Sequence, residues 1–243
     1  MPESLAITRL LNELFGGIVA SVMHLVGVNA TPATAINDAF ALELLVACGL
    51  IAFFVVVRVT LSVEKPNPAQ QIAEMIHEFT GEQAEQIIGH GYQRFQAFVT
   101  CIFLFVVLNN LLGLIPGIET PTKSPVVPLG IALLTFLFYN FHGFRAQGVV
   151  GYMKHFAGPV WWISPLLFPI EIISHCARVM SLTIRLYANM FASDLVTLVF
   201  FSICPVVIPA AFLGLHLMVS LIQAYVFMLL AMIYLSQAVS HDH

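Results

Sequence analysis

Charge is what this sequence has least of. Its 243 residues include 9 Lys and Arg and 13 Asp and Glu, 9% charged in all, where a soluble domain carries about 25%. Hydrophobic residues make up 59% and mean hydropathy is +0.93, so the chain is an integral membrane protein. The basic residues are scattered singly and the net charge is −4, so nothing here suggests nucleic-acid binding. Cys48, Cys101, Cys176 and Cys204 lie in apolar stretches without metal-ligand spacing. They read as packed free thiols, not disulfides or metal ligands. The chain has no P-loop glycine motif for ATP chemistry and no H-E-x-x-H metalloprotease motif, so no catalysis, cofactor or metal is expected. Its first residues lack a basic n-region, so neither a cleaved signal nor an Arg-rich transit peptide is expected.

What is abundant is apolar sequence of membrane-crossing length. A span needs roughly 20 apolar residues. Ala39 to Leu61, Phe95 to Ile115 and Ser124 to Phe144 each qualify. Residues 164 to 238 then form one long apolar hairpin, turning near Pro205 and ending in the polar tail Ser240 to His243. Its two arms, to Ile203 and from Pro205, exceed ~25 residues, so they must tilt or bend within a ~30 Å hydrocarbon core. Leu5 to Val28 is a short amphipathic stretch. Between the first two spans, Ile72, Met75, Ile76 and Phe79 recur at helical spacing while Glu74, Glu78, Glu82 and Glu85 take other positions, which predicts an interfacial amphipathic helix. Pro116 to Lys123 reads as a tight polar hairpin and Arg145 to Val160 as a mixed loop. The expected fold is all-α: about five membrane-embedded helices plus interfacial helices, with the last two a long tilted hairpin. Its expected division is 1–38, an external segment; 39–61, the first span; 62–94, a cytoplasmic amphipathic helix; 95–144, a helical hairpin; and 164–238, the tilted hairpin.

Lys and Arg placement orients the chain. With the first span running inward, Arg58, Lys65, Arg94, Arg145 and Lys154 are cytoplasmic, and Arg9 and Lys123 are external. The N-terminus is then outside and the C-terminus inside.

Arg185 is the most informative residue. A guanidinium stays protonated at any workable pH, and one at mid-bilayer costs ~2.5–3.5 kcal/mol on insertion scales. Glu171, Arg178 and Arg185 are spaced by seven and form one stripe. Glu171 lies about 21 Å from Arg185 towards the cytoplasm, and Asp194 roughly 13 Å beyond it towards the outside, on about the opposite side of the helix. Ser174, His175, Ser181 and Asn189 add polar points. On the returning arm, His216 matches the depth of Asp194, eleven residues either side of Pro205. Gln223 matches the level of Tyr187, close to Arg185, with Tyr225 nearby. An outer titratable cluster of Asp194 and His216, an inner carboxylate at Glu171 and a fixed cation between them suggest two half-pathways for protons separated by a positive barrier.

These residues resemble subunit a of the F-type ATP synthase. The resemblance runs from about residue 36 to the end and is strongest over 164–238. It is carried by Ser181 to Met190 (SLTIRLYANM) and Gln223 to Leu230 (QAYVFMLL), with Pro169 to Ser174 and Asn109 to Pro116 in support. It implies that Arg185 is the arginine facing a rotating c-ring and that Asn189, Asp194, His216 and Gln223 line an external half-channel. Glu171 would lie towards the cytoplasmic path. Asp194 stands where Glu or His is common, and Ser193 where Gly is common. Ser181, His175, Arg178 and Tyr225 are further candidates. The implied partners are the c-ring, the peripheral-stalk b subunits, the lipid bilayer and protons. The implied location is a bacterial inner membrane, with an organellar one as alternative. The resemblance does not determine the coupling ion. A proton-coupled secondary transporter is the competing reading; it calls for inverted repeats and paired broken helices, and no internal repeat is seen.

Overall fold

The computed structural model describes residues 6–25, 31, 36–62, 65–115, 118, 120–157, 164–203 and 207–239. The turn at Pro205, the tail from Ser240, Cys204 and Glu119 lie outside them. Among the described residues the helices run in order: α1 (Ala6–Leu25), α2 (Asp38–Val59), α3 (Pro68–Ile88), α4 (Gln93–Leu112), α5 (Val126–Ala157), α6 (Ser164–Ile203) and α7 (Val207–Val239), with a short 3-10 turn at Pro121–Lys123 before α5. No strand occurs among the described residues. Among the described residues five helices are long and apolar enough to cross a membrane, over Asp38–Val59, Gln93–Leu112, Val126–Ala146, Leu166–Phe200 and Ala211–Val239. The chain is thus an all-α integral membrane protein.

Local chemistry sets the helix ends. The Asn37 side chain accepts from the Phe40 backbone N–H at 2.8 Å and caps α2, satisfying a donor that a helix start leaves open. Asp38 in the first turn and Arg58 in the last complement the helix dipole. The Asn12 amide ties α1 to this start, donating to Ile36 O at 3.0 Å and accepting from Ile36 N at 2.9 Å.

Helix α3 docks by an unexpected face. Thr80, Gly81 and Ala84 are buried, whereas Ile72 and Met75 of the apolar stripe stay exposed. Thr80 and Thr100 hydroxyls meet at 2.8 Å, and Gln96 Nε2 donates to His77 O at 2.7 Å. Small and hydroxylated residues bring α3 onto α4, leaving Ile72 and Met75 turned outward.

Helices α4 to α7 enclose the core. Val106, Ile131, Leu182, Leu186, Met190 and Phe227 form its centre. The expected loop from Arg145 to Val160 is instead helical to Ala157. Its break is a kink at Gly148, whose φ of 71° and ψ of 159° are non-helical. Glycine takes that conformation without a Cβ clash, so the helix breaks there and a second helical segment continues to Ala157.

The two arms of the hairpin differ in burial. Only 11% of the α6 span is buried, against 39% of α7 and 50% of α4. Ile173, Met180, Ile184 and Leu198 are exposed and recur on one side of α6, while Leu182, Leu186 and Met190 are buried on another.

Candidate functional site

Polar side chains line α6 from one end to the other, at the edge of the buried face. Nearest the hairpin turn, α6 supplies Ser193 and Asp194 and α7 supplies His216. Antiparallel packing brings them together: His216 Nδ1 lies 2.8 Å from Ser193 Oγ and 3.5 Å from Asp194 Oδ1. His216 is 2% exposed, so its ring has no alternative partner in solvent. Its other nitrogen, Nε2, lies 3.4 Å from the backbone carbonyl of Asn110. A carbonyl only accepts, so a neutral His216 carries its proton on Nε2 and accepts at Nδ1 from the Ser193 hydroxyl. A protonated ring has a donor at Nδ1 facing the Asp194 carboxylate. Both protonation states therefore have a partner in place.

The segment before α5 closes this cluster. Thr120 Oγ1 donates to both carboxylate oxygens of Asp194, at 3.4 Å and 3.3 Å. Thr122 Oγ1 donates to Asn110 Oδ1 at 2.8 Å. Gly113 makes the approach feasible: a Cβ there would collide with the Thr120 hydroxyl and stand 3.3 Å from His216 Nε2. The sequence alone did not single out Thr120, Thr122 or Gly113. The Asn109–Asn110 pair, both fully buried in an apolar span, was the available signal.

One turn nearer Arg185, Asn189 Nδ2 donates to Gln223 Oε1 at 2.7 Å. Gln223 thus meets Asn189, two residues from the Tyr187 level it was expected to share. In hydrocarbon such an amide pair is worth roughly 0.6–2 kcal/mol. Arg185 is half-buried, with Nη2 donating to Ser181 Oγ at 3.2 Å. No carboxylate of a described residue lies within ion-pair distance of it. A permanent cation is therefore held between the buried face and the exposed apolar face of α6, beside Ile184.

Beyond Arg185 the polar line continues. The Arg178 guanidinium sits 5.0 Å over the Tyr234 ring, a cation–π contact worth ~0.5–2 kcal/mol, so it is held against α7. Tyr139 OH meets His175 Nδ1 at 3.0 Å, and His175 Nε2 lies 3.5 Å from Glu171 Oε1. Tyr139 also packs on Tyr234, ring centroids 6.0 Å apart. Glu171, His175 and Arg178 thus share one cluster with two tyrosines that the sequence reading had not joined to them. Tyr225 stands apart: its hydroxyl donates to Gln83 Oε1 of α3 at 3.0 Å, on the side of α7 away from the Asn189–Gln223 pair. Among the described residues no group of His, Cys, Asp and Glu could hold a metal ion.

Comparison with known proteins bears on this arrangement. The family described as ATP synthase A chain matches residues 40–236. The chain is similar to ATP synthase subunit a of Koribacter versatilis, with 52% identity over 244 residues covering 100% of both chains. It is 46% identical over 202 residues to ATP synthase subunit a of Solibacter usitatus, covering 83% of this chain and 87% of that one. To ATP synthase subunit a of Bdellovibrio bacteriovorus it is 41% identical over 172 residues, 71% of this chain and 75% of the relative. A match over this length, with relatives this close, means that the chain belongs to the ATP synthase A chain family.

Proposed function

We propose that this chain is the non-catalytic, proton-translocating stator subunit of an F-type ATP synthase, giving a rotating c-ring two offset half-channels separated by Arg185. The observation that carries this reading is the position of Arg185. It is a fixed cation without a described carboxylate partner, at the border of an exposed apolar helix face, with a titratable cluster towards each end of the same helix.

The proposed path starts at the external face of a bacterial inner membrane, with the N-terminus external and the C-terminus cytoplasmic. A proton arriving at the outer cluster is taken by His216 or Asp194 and passed along the Asn189–Gln223 level to a c-ring carboxylate. Once neutral, that carboxyl enters lipid at far lower cost than its ion. After nearly a full rotation it meets the inner path at Glu171, with His175 and Tyr139 beside it. Arg185 favours the ionised carboxylate and so drives release of the proton. The same charge keeps protons from crossing directly between the half-channels. Each proton falling through 100 mV contributes ~2.3 kcal/mol, so several are summed for every ATP made elsewhere in the complex. In this reading 164–238 packs on the c-ring, 62–94 lies at the cytoplasmic surface, 95–144 is the helical hairpin, and peripheral-stalk b subunits are further partners.

A photo-crosslinking residue in place of Ile184, on the exposed face beside Arg185, tests the assembly. In membranes containing the whole complex it should link to the c-ring, while one in place of Leu134 on α5 should not. Absence of any link from position 184 to c-ring subunits contradicts the proposal.

A further inference from the structure

Three spans end together at the Arg94 end of the bundle and leave a cationic hollow. The start of α4, the end of the α5 span and the end of α7 enclose a cavity of about 540 Å³ lined by Arg94, Phe95, His142, Arg145, Ala146 and Val239. Arg94 opens α4 and Arg145 directly follows the uncharged run of α5, and cationic residues flanking apolar runs mark the depth where headgroups replace hydrocarbon. Among the described residues its lining holds two guanidinium groups and no carboxylate. Neither arginine makes an ion pair with a carboxylate of a described residue. His142 of the same lining is fixed in place: its Nδ1–H donates to Phe138 O at 3.0 Å, and its ring stands edge-on to Phe95 with centroids 5.1 Å apart. Paired guanidinium groups favour a phosphate, whose oxygens accept two parallel N–H bonds from each.

A second feature adjoins the first. Leu134, Leu137, Phe138, Phe141 and Phe144 line an apolar groove of about 510 Å³ on the outer side of α5. Leu134, Phe138, Phe141 and Arg145 fall at i, i+4, i+7 and i+11 and so form one stripe, with the arginine at its interfacial end. The Phe138 and Phe141 rings both meet the His142 ring, at centroid distances of 4.3 Å and 5.5 Å. The groove and the cationic hollow therefore meet at His142. A free phosphate would fill only the hollow; an amphiphile with an anionic head and an alkyl chain fills both.

We propose that this is a binding site for an anionic phospholipid, its phosphate between Arg94 and Arg145 and one acyl chain along the Leu134–Phe141 stripe. None of these residues belongs to the polar line of α6 and α7, so the site stands whether or not the proton pathway does.

The test is native mass spectrometry of the full chain in mild detergent, with phosphatidylglycerol and phosphatidylcholine of identical acyl chains supplied in equal amounts. Wild-type protein should retain one phosphatidylglycerol in preference to phosphatidylcholine. R94Q and R145Q should each weaken retention about fivefold, and the double substitution roughly thirtyfold. Glycerophosphoglycerol, the headgroup without chains, should bind roughly a hundredfold more weakly or worse. Equal retention of the two lipids by the wild-type chain, which depends on no variant folding, overturns the proposal. So does displacement of phosphatidylglycerol by millimolar inorganic phosphate, which would mark a site for the free anion.

Discussion

Ser193 Oγ lies 2.8 Å from His216 Nδ1, closer than the Asp194 carboxylate at 3.5 Å. The hydroxyl and the carboxylate serve the two protonation states of one ring. Ser193 can donate to the neutral imidazole, and Asp194 can accept from the imidazolium. With Nε2 directed at the Asn110 carbonyl, the ring is held at both nitrogens.

Replacing Ser193 with Ala removes one hydrogen bond to a buried ring without changing the charge of the cluster. A single such bond is worth about 1 kcal/mol, so ATP-driven proton pumping in inverted membrane vesicles should slow about fivefold with complex assembly unchanged. Ser193→Thr, which keeps the hydroxyl, should retain most of the rate. Wild-type pumping by Ser193→Ala would show that the contact has no part in proton entry.

Gly113→Ala should be among the most damaging substitutions of a residue that carries no polar side chain. The added Cβ meets the Thr120 hydroxyl and crowds His216, and overpacking of this kind costs about 1–3 kcal/mol. A lower thermal midpoint of the solubilised protein and slower pumping should appear together. Combining Gly113→Ala with Thr120→Gly removes the colliding atoms and should recover stability but not the Thr120–Asp194 contact. If Gly113→Ala matches wild type in both measurements, Thr120 does not sit where the structure puts it.

How far the sequence was legible follows from which interactions are local. Apolar length and hydropathy depend on consecutive residues, so the spans were readable, α2 and α4 within a few positions. The meeting of Asp194 with His216 was also readable, because an antiparallel hairpin pairs residues equidistant from its turn, and 1.5 Å per residue keeps the count on both arms. Partners set by lateral packing were not. Thr120 reaches Asp194 across 74 positions and Tyr139 reaches His175 across 36; nothing in either local pattern points to the other. The docking face of α3 was hidden for a related reason. Its hydrophobic stripe was visible, but Thr80, Gly81 and Ala84 carry the contact with α4 because small side chains allow close approach. The kink at Gly148 was read as a loop, since a polar, glycine-containing stretch shows the break but not whether helix resumes beyond it.

Arg185 carries the central claim, that a permanent cation divides two proton paths that do not join. The most direct measurement is ATP synthesis driven by an imposed proton gradient in vesicles carrying Arg185→Ala, with passive proton permeability recorded in the same preparation. The account predicts that synthesis is lost while the complex still assembles, and that passive leak through the membrane sector is equal to or greater than in wild type. Synthesis at the wild-type rate in that variant would contradict it.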